Sequence, residues 1–231
     1  MPQTTSPCGG SLIPEPPISA GLADQQKRLS SLMDGTPKSE AAVASALESM
    51  DELLDRAAAT LYNLASMLVG EGEESIALIE KAVATAEVSH CEDPEQARID
   101  SLFALCRGAA ELLEKRNPGC LAAPVSVEHI VTCLDDDDLE SAGIKREVLD
   151  RMFAGPERER VRTWLESLST ATRTIFVMRA VGGVCNPNTA RLLNEATGAT
   201  TVLWTPEAVS EIFRQGLCSL ATQLLQASAV R

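Results

Sequence analysis

The apolar residues repeat with the period of an α-helix in nearly every segment after about residue 45, and this restricts the chain to helical folds. In the last segment they recur at i, i+3, i+4, i+7, i+8 and i+11, at Val209, Ile212, Phe213, Gly216, Leu217 and Leu220. Hydrophobic residues make up 45% of the chain but aromatic residues only 3%. A core of Leu, Ala, Val and Ile suits packed helices better than a β-sandwich. The sequence predicts an all-α fold with Phe213 buried.

Residues that favour helix ends separate these periodic segments. Asp93, Asn186 and Thr205 each precede a proline, so they are predicted N-caps with the proline in the first helical turn. In the segment EESIALIEKAVATAEV one face is apolar and is predicted to pack inward, at Ile76, Ile79, Val83 and Ala86.

Pro- and Gly-rich stretches divide the predicted helices into four regions. Residues 1–45 contain PCGG, PEPP and DGTPKSE and are predicted to be a flexible arm. Residues 46–117 form a first helical domain that closes at Asn117-Pro118-Gly119. Residues 118–155 form an acidic connector with short helices at SVEHIVTCL and KREVLDRMF, and residues 156–231 form a second helical domain.

The charge is acidic and unevenly spread. The net charge is -13, and residues 46–117 contain 15 Asp and Glu against 6 Lys and Arg. Residues 166–231 contain 4 acidic and 5 basic residues. An acidic surface repels nucleic acid and anionic membranes at long range and suits a basic protein partner. No apolar stretch approaches the length of a membrane span, and no secretory signal is apparent, so we expect no membrane association.

The seven cysteines are an odd, scattered set without a C-x-x-C motif. Their simplest interpretation is a reduced, cytoplasmic protein. His129 and Cys133 have acceptable spacing for two zinc ligands, but no motif supplies the other two. The run Asp135–Asp138 lacks the spacing and glycine of a calcium loop, so a solvated linker is favoured.

Catalytic chemistry finds no support in the sequence. Of the two histidines, neither lies near a Ser or Cys in a nucleophile context, so no acid–base constellation can be drawn. We therefore expect no enzyme activity, no metal and no cofactor.

The order of elements resembles a small two-domain sigma-70-family factor of the extracytoplasmic-function type. The run WLESLSTATRTIFVMRAVGGV is similar to that family's segment of a Leu-rich helix, an arginine-containing helix and a glycine, and residues 189–193 and 205–225 resemble its bihelical DNA reader. The corresponding positions are Leu168, Arg173, Phe176, Met178, Arg179 and Gly183, with Met178 in place of the family's Leu. The region-2 helices of the family resemble residues 46–116.

The resemblance implies an all-α protein with a three-helix region-2-like unit and a region-4-like helix-turn-helix unit, acting in transcription initiation. Core RNA polymerase would bind the first unit, where Ile79, Glu80 and Lys81 occupy the stretch that contacts polymerase in the family. Promoter DNA would meet the second. The sequence departs from the family at Ser169, which replaces a proline, and in the link from Asn194 to Trp204, about twice as long as the family's tight turn.

The DNA-facing residues implied by this resemblance lie on the last helix and on three arginines before it. Arg214 and Gln215 are the base-edge candidates, because Arg pairs with guanine and Gln with adenine. An ordinary solvated face is the favoured interpretation of this outer surface, because one Arg beside two Glu neutralises few phosphates. The alternative function is a sigma-like module that binds a protein, either an anti-sigma factor or polymerase itself, without productive DNA contact. The DNA-binding candidates are Arg173, Arg179, Arg191, Glu207, Ser210, Glu211, Arg214 and Gln215.

Overall fold

A computed structural model describes residues 58–85, 94–124, 133–134, 137, 139, 144, 146–156, 158–198 and 202–229. Within these residues there are eight helices and no strand, which confirms the predicted all-α class. The predicted arm and the predicted short helix at SVEHIVTCL lie outside the described residues. The helices are α1 (58–69), α2 (Glu73–Thr85), α3 (Pro94–Arg116), α4 (Arg146–Ala154), α5 (Arg158–Ser167), α6 (Thr170–Ala180), α7 (Asn186–Thr197) and α8 (Pro206–Ala229).

One hydrophobic core connects the two predicted domains. Helix α3, from the first, packs against both α2 and α7, and α7 and α6 pack against α8. The buried apolar side chains form a single cluster that runs from Leu64 on α1 to Leu220 on α8. At the α3–α7 contact, Arg107 pairs with Glu195 at 3.2 Å. The subdivision into two units is therefore not confirmed, and the proposed boundaries stay predictions.

The centre of the C-terminal helices is an aromatic cluster. Phe213 is 2% exposed, as its place in the apolar stripe predicts. Its ring lies 5.6 Å from the ring of Phe176, which in turn meets Trp164 edge-on at 4.9 Å. Gly216 lets α8 approach this cluster, because a Cβ there would lie 2.8 Å from a ring carbon of Phe176. The glycine in the stripe thus has a packing function that Ala would disturb.

The helix starts agree with the sequence at one predicted cap and differ at another. The Thr205 hydroxyl accepts a hydrogen bond from the Ala208 amide at 3.2 Å, which confirms the predicted N-cap. Asn186 was predicted as an N-cap, but α7 begins one residue earlier, with Cys185 at the cap. The side chain of Asn186 instead hydrogen-bonds to Asp137. Asp93 lies outside the described residues.

Helix α2 buries a different face from the predicted one. The buried residues are Ser75, Leu78 and Ala82, whereas Ile76 is 49% exposed and Val83 is 52% exposed. The Ser75 hydroxyl donates to the Gly72 carbonyl at 2.7 Å, so its burial leaves no donor unsatisfied. The predicted inward face was wrong at Ile76 and Val83, because Leu78 and Ala82 are buried in their place. Ile79 is half-buried against the core as predicted, and Ala86 lies outside the described residues.

The odd, scattered set of cysteines predicts reduced thiols, but some of the cysteines form disulfides. Cys133 and Cys218 form a disulfide across 85 residues of sequence, and Cys185 is also disulfide-bonded. Cys106 and Cys120 are free. Burial raises the pKa of Cys106 to about 12, so its thiol is protonated and unreactive at neutral pH. The disulfide contradicts the expectation of reduced cysteines, and the cytoplasmic compartment stays a prediction.

Candidate interaction surfaces

The first turn of α8 presents an acidic group to solvent. Glu207 is exposed next to the N-cap Thr205. A hydrogen bond from its own backbone amide, and a second from the Thr205 hydroxyl, lower the pKa of the Glu207 carboxyl. A carboxylate at this position stabilises the positive end of the helix dipole. It also places a negative charge where a DNA reader needs a neutral or basic group.

The connector covers the outer face of α8. Cys133 is joined to Cys218 by the disulfide, and the Asp137 carboxylate accepts a hydrogen bond from the Ser210 hydroxyl. These two contacts lie two helical turns apart on the side of α8 that the sequence assigned to base edges. A major groove would have to take the space that residues 133 and 137 occupy.

Glu211 lies in the interior and not on an outer face. The sequence placed it among solvated or DNA-facing residues, but it is only 6% exposed. Its carboxylate pairs with Arg214 one turn later, while its Oε1 atom has no hydrogen-bond partner in the described part of the chain. Gln215 is half-buried beside them. The placement of Glu211 on a solvated face was therefore wrong.

Arg179 is held by protein groups on three sides. Its Nη2 atom donates to the Asp137 carbonyl at 2.9 Å and lies 3.1 Å from the Asp137 carboxylate. Its guanidinium carbon lies 4.7 Å from the centre of the Phe213 ring, a cation–π distance. Asn186 donates to the same carboxylate. Asp137 therefore joins the connector to α6 through Arg179, to α7 through Asn186 and to α8 through Ser210.

Several opposing effects act on the Asp137 carboxyl. Burial by itself would raise its pKa. Hydrogen bonds from Asn186 and Ser210, together with the charge of Arg179, outweigh burial and lower the pKa below the ordinary value for aspartate. Asp137 is thus an ionised anchor, although the sequence placed it in a solvated acidic run. The sequence does not predict this role, because the partners Arg179 and Asn186 are more than 40 residues away from Asp137 in the chain.

The other two candidate arginines have separate surroundings. Arg191 pairs with Glu195 within α7 at 3.3 Å, and Glu195 also meets Arg107 of α3. Arg173 lines a cleft formed by α1, α4, α5 and α6. The structure therefore gives Arg173, Arg179 and Arg191 different neighbours instead of one shared cationic patch.

The long link before α8 is closed by a side-chain clamp. The Asn194 side chain accepts from the Trp204 amide at 2.8 Å and donates to the Trp204 carbonyl at 3.0 Å. The Trp204 indole donates to the Leu121 carbonyl at 2.8 Å. Gly198 ends α7 with a positive φ of 57°. The link thereby attaches the start of α8 to the beginning of the predicted connector at Leu121.

Helix α2 carries an open apolar stripe. Ile76 and Val83 are exposed, and Ile79 between them is half-buried. Glu80 is exposed, and Lys81 pairs with Glu111 of α3 at 3.7 Å. The predicted polymerase-contacting residues Ile79, Glu80 and Lys81 therefore border a surface that the protein itself leaves open. Sequence periodicity found the stripe but assigned it to the core.

No protein-family model, curated protein or solved structure matches the chain. Along the described ranges, no helix has the length and apolar character needed to cross a membrane. The same residues contain no group of three or more His, Cys, Asp or Glu side chains that could hold a metal ion. His129 and three of the four aspartates in the run 135–138 lie outside those ranges.

Proposed function

We propose that the chain is a helical protein-interaction module of sigma-factor-like organisation, which binds a basic protein partner through α2 and does not read DNA through α8. The observation that carries this proposal is that the outer face of α8 is covered whereas an apolar face of α2 is exposed. The connector covers the outer face of α8 at Ser210 and Cys218, while α2 leaves Ile76 and Val83 exposed. The proposed activity is binding, without catalysis or a cofactor.

The chemistry of the partner is suggested by the residues that flank the stripe. Glu73 and Glu80 are exposed three residues before and four residues after Ile76, so they lie on the same side of α2. An apolar stripe bordered by carboxylates suits an amphipathic helix that carries Lys or Arg beside its apolar face. Core RNA polymerase is the partner that the family resemblance implies, and an anti-sigma protein is the alternative.

The competing function is promoter recognition. It requires the outer face of α8, where Glu207 is anionic and Glu211 is buried. Even if Arg173, Arg179, Arg191 and Arg214 all met phosphates, the slope of log affinity against log salt would reach only about -3 to -4. Protein binding therefore fits the arrangement of charges better than DNA binding.

The test is retention of core RNA polymerase by the purified full chain. An Ile76→Ser/Val83→Ser variant should lose at least about tenfold in affinity, because it removes the two most exposed apolar contacts of the stripe. The matched control is Val202→Ser/Leu203→Ser, which removes two exposed apolar side chains elsewhere. Equal retention by both variants would contradict the assignment to α2, and no retention of the wild-type chain would contradict polymerase as partner.

A second measurement separates protein binding from DNA binding. In a gel-shift assay with mixed-sequence duplex at physiological salt, we expect no shift with the wild-type chain. Tight binding with a salt slope steeper than about -4 would contradict the proposal, because it needs more phosphate contacts than the four arginines provide.

A cytoplasmic location belongs to the same proposal, since polymerase binding requires it. Structural disulfides are rare in that compartment. Trapping thiols in intact cells and measuring the Cys133–Cys218 bond by mass spectrometry tests the location. A fully oxidised pair in the cells would contradict the cytoplasmic location and polymerase as the partner. A reduced pair would support that location, and the contact of Asp137 with Ser210 would then hold the connector on α8 without the crosslink.

A further inference from the structure

A cleft lined by three arginines lies between α1, α4, α5 and α6, away from α8 and from the stripe on α2. Its enclosed volume is about 50 Å³, and its mouth opens to solvent. Arg158, Arg162 and Arg173 contribute the cations, and Met67, Phe153 and Leu165 contribute apolar walls.

Two of the three arginines are paired with acids of the protein. Arg158 pairs with Glu71, and Arg162 lies 3.8 Å from the same carboxylate. The Nε atom of Arg162 also lies 3.1 Å from Glu166. Glu71 and Glu166 both line the cleft, so its outer part is close to electrically balanced. These pairs cannot attract a highly charged anion strongly.

Arg173 differs from the other two. Among the described residues it has no ion pair with a carboxylate, and its Nε atom is buried without a hydrogen-bond partner. A guanidinium offers five N–H donors, and buried donors in proteins are normally satisfied by protein, water or a bound group. The cleft therefore combines an apolar lining with one arginine that has no carboxylate ion pair among the described residues.

We propose that this arginine cleft binds a small carboxylate whose charged group pairs with Arg173 and whose hydrocarbon part packs on Met67, Phe153 and Leu165. A planar carboxylate matches the fork of a guanidinium through two parallel hydrogen bonds. A single negative charge balances the one uncompensated arginine, whereas Glu71 and Glu166 would repel a dianion such as phosphate. The carboxylate could come from a free organic acid or from the end of a peptide chain. The site stands independently of the partner surface on α2.

The test is calorimetric titration of the full chain with hexanoate and N-acetylleucine, with hexanamide as the uncharged control for hexanoate. We expect hexanamide to bind at least about tenfold more weakly than hexanoate, because it lacks the charge-assisted hydrogen bonds. Tighter binding of hexanoate identifies a free acid as the ligand type, and tighter binding of N-acetylleucine identifies a peptide end. Equal binding of hexanoate and hexanamide, or no binding of either carboxylate at about 10 mM, would overturn the proposal.

Two variants locate the site. Arg173→Gln should weaken hexanoate binding at least about tenfold, whereas Arg191→Gln, which changes an arginine paired on the surface of α7, should leave it unchanged. Glu71→Gln should strengthen hexanoate binding, because it removes a negative charge from the cleft and leaves Arg158 uncompensated. Thermal unfolding of each variant checks that it is folded. Unchanged binding by Arg173→Gln, or weaker binding by folded Glu71→Gln, would reject the cleft as the site.

Discussion

Helices α2 and α8 have similar apolar patterns in the sequence but opposite environments in the fold. Each has a stripe of apolar residues that predicts one buried face. Helix α8 buries that stripe and also part of its opposite side, where Glu211 is 6% exposed. Helix α2 buries another face and leaves Ile76 and Val83 open. A periodic apolar stripe predicts a helix, but it does not predict how many other elements pack against that helix.

The difference arises from the number of elements that reach each helix. Helices α6 and α7 pack on α8, and the connector reaches it through Cys133 and Asp137. Helix α2 has its main contact with α3, where Gly108 allows the Leu78 side chain to come close. The contact with α3 buries one face of α2, and the apolar side chains of Ile76 and Val83 stay exposed.

Among the substitutions that compare α8 with α2, replacing the central aromatic residue of α8 should lower the free energy of unfolding the most. Phe213→Ala removes a ring that packs on Phe176 and lies below Arg179, and should lower the free energy of unfolding by about 3–5 kcal/mol. The matched change on α2, Val83→Ala, should cost no more than about 0.5 kcal/mol. Urea denaturation measures both. A loss below about 1 kcal/mol for Phe213→Ala would show that α8 is not packed as described.

Removing the disulfide tests how firmly the connector covers α8. The Cys133→Ser/Cys218→Ser variant should lose about 2–4 kcal/mol of unfolding free energy, because the crosslink closes a long loop in the unfolded chain. Cys120→Ser serves as the control, since that thiol is free and half-buried. Urea denaturation under non-reducing conditions gives the difference. Equal stability of the two serine variants would mean that the crosslink does not hold α8.

Two glycines provide a matched test of close helix packing. Gly216→Ala should cost about 1–3 kcal/mol, because the new methyl meets the buried ring of Phe176. Gly108→Ala should be close to neutral, because the methyl meets only the end of the flexible Leu78 side chain and Ala favours a helix by about 1 kcal/mol. Thermal unfolding of the pair measures the contrast. A larger loss of stability for Gly108→Ala than for Gly216→Ala would contradict our inference that the helices pack more tightly around α8 than around α2.

The smallest expected effect concerns the charge of Asp137. Its pKa is lowered in the folded protein, so its contribution to stability is present above the unfolded-state value of about 3.9 and is lost as the pH falls through the lower native value. Asp137→Asn should cost about 1 kcal/mol or less at neutral pH and should reduce the loss of stability in acid. Urea denaturation from pH 7 to pH 3 tests this. Identical pH profiles for the two proteins would show that Asp137 is not a charged anchor.

Much of the fold is predictable from local patterns. Thr205 caps α8 as expected, because an N-cap needs only the few residues that follow it. The prediction at Asn186 failed by one position, because the side chain has a distant partner in Asp137. The predicted helix at KREVLDRMF is present as α4. Local hydrogen bonds and periodicity can be deduced from neighbouring residues, and a partner 49 positions away cannot.

The candidate surfaces were less predictable than the helices. Ile79, Glu80 and Lys81 lie in or beside the exposed apolar stripe of α2. The sequence does not predict that Ile76 is exposed, because this depends on which face of α2 packs on α3. Glu211 was expected outside, yet it is buried by the arrangement around α8. The arginine cleft had no signal in the sequence, because Arg158, Arg162 and Arg173 come from two helices and face residues of two others.

The sequence by itself determined that this chain is helical, where most of its described helices begin and end, and that Phe213 lies in the core. These features depend on periodicity, capping and side-chain size, which act over a few residues. Only the tertiary structure decided which face of α2 stays open, that the connector covers α8, and which cysteines pair. Each of these depends on contacts between residues far apart in the chain, whose free energies outweigh local preferences and are not encoded in any short segment.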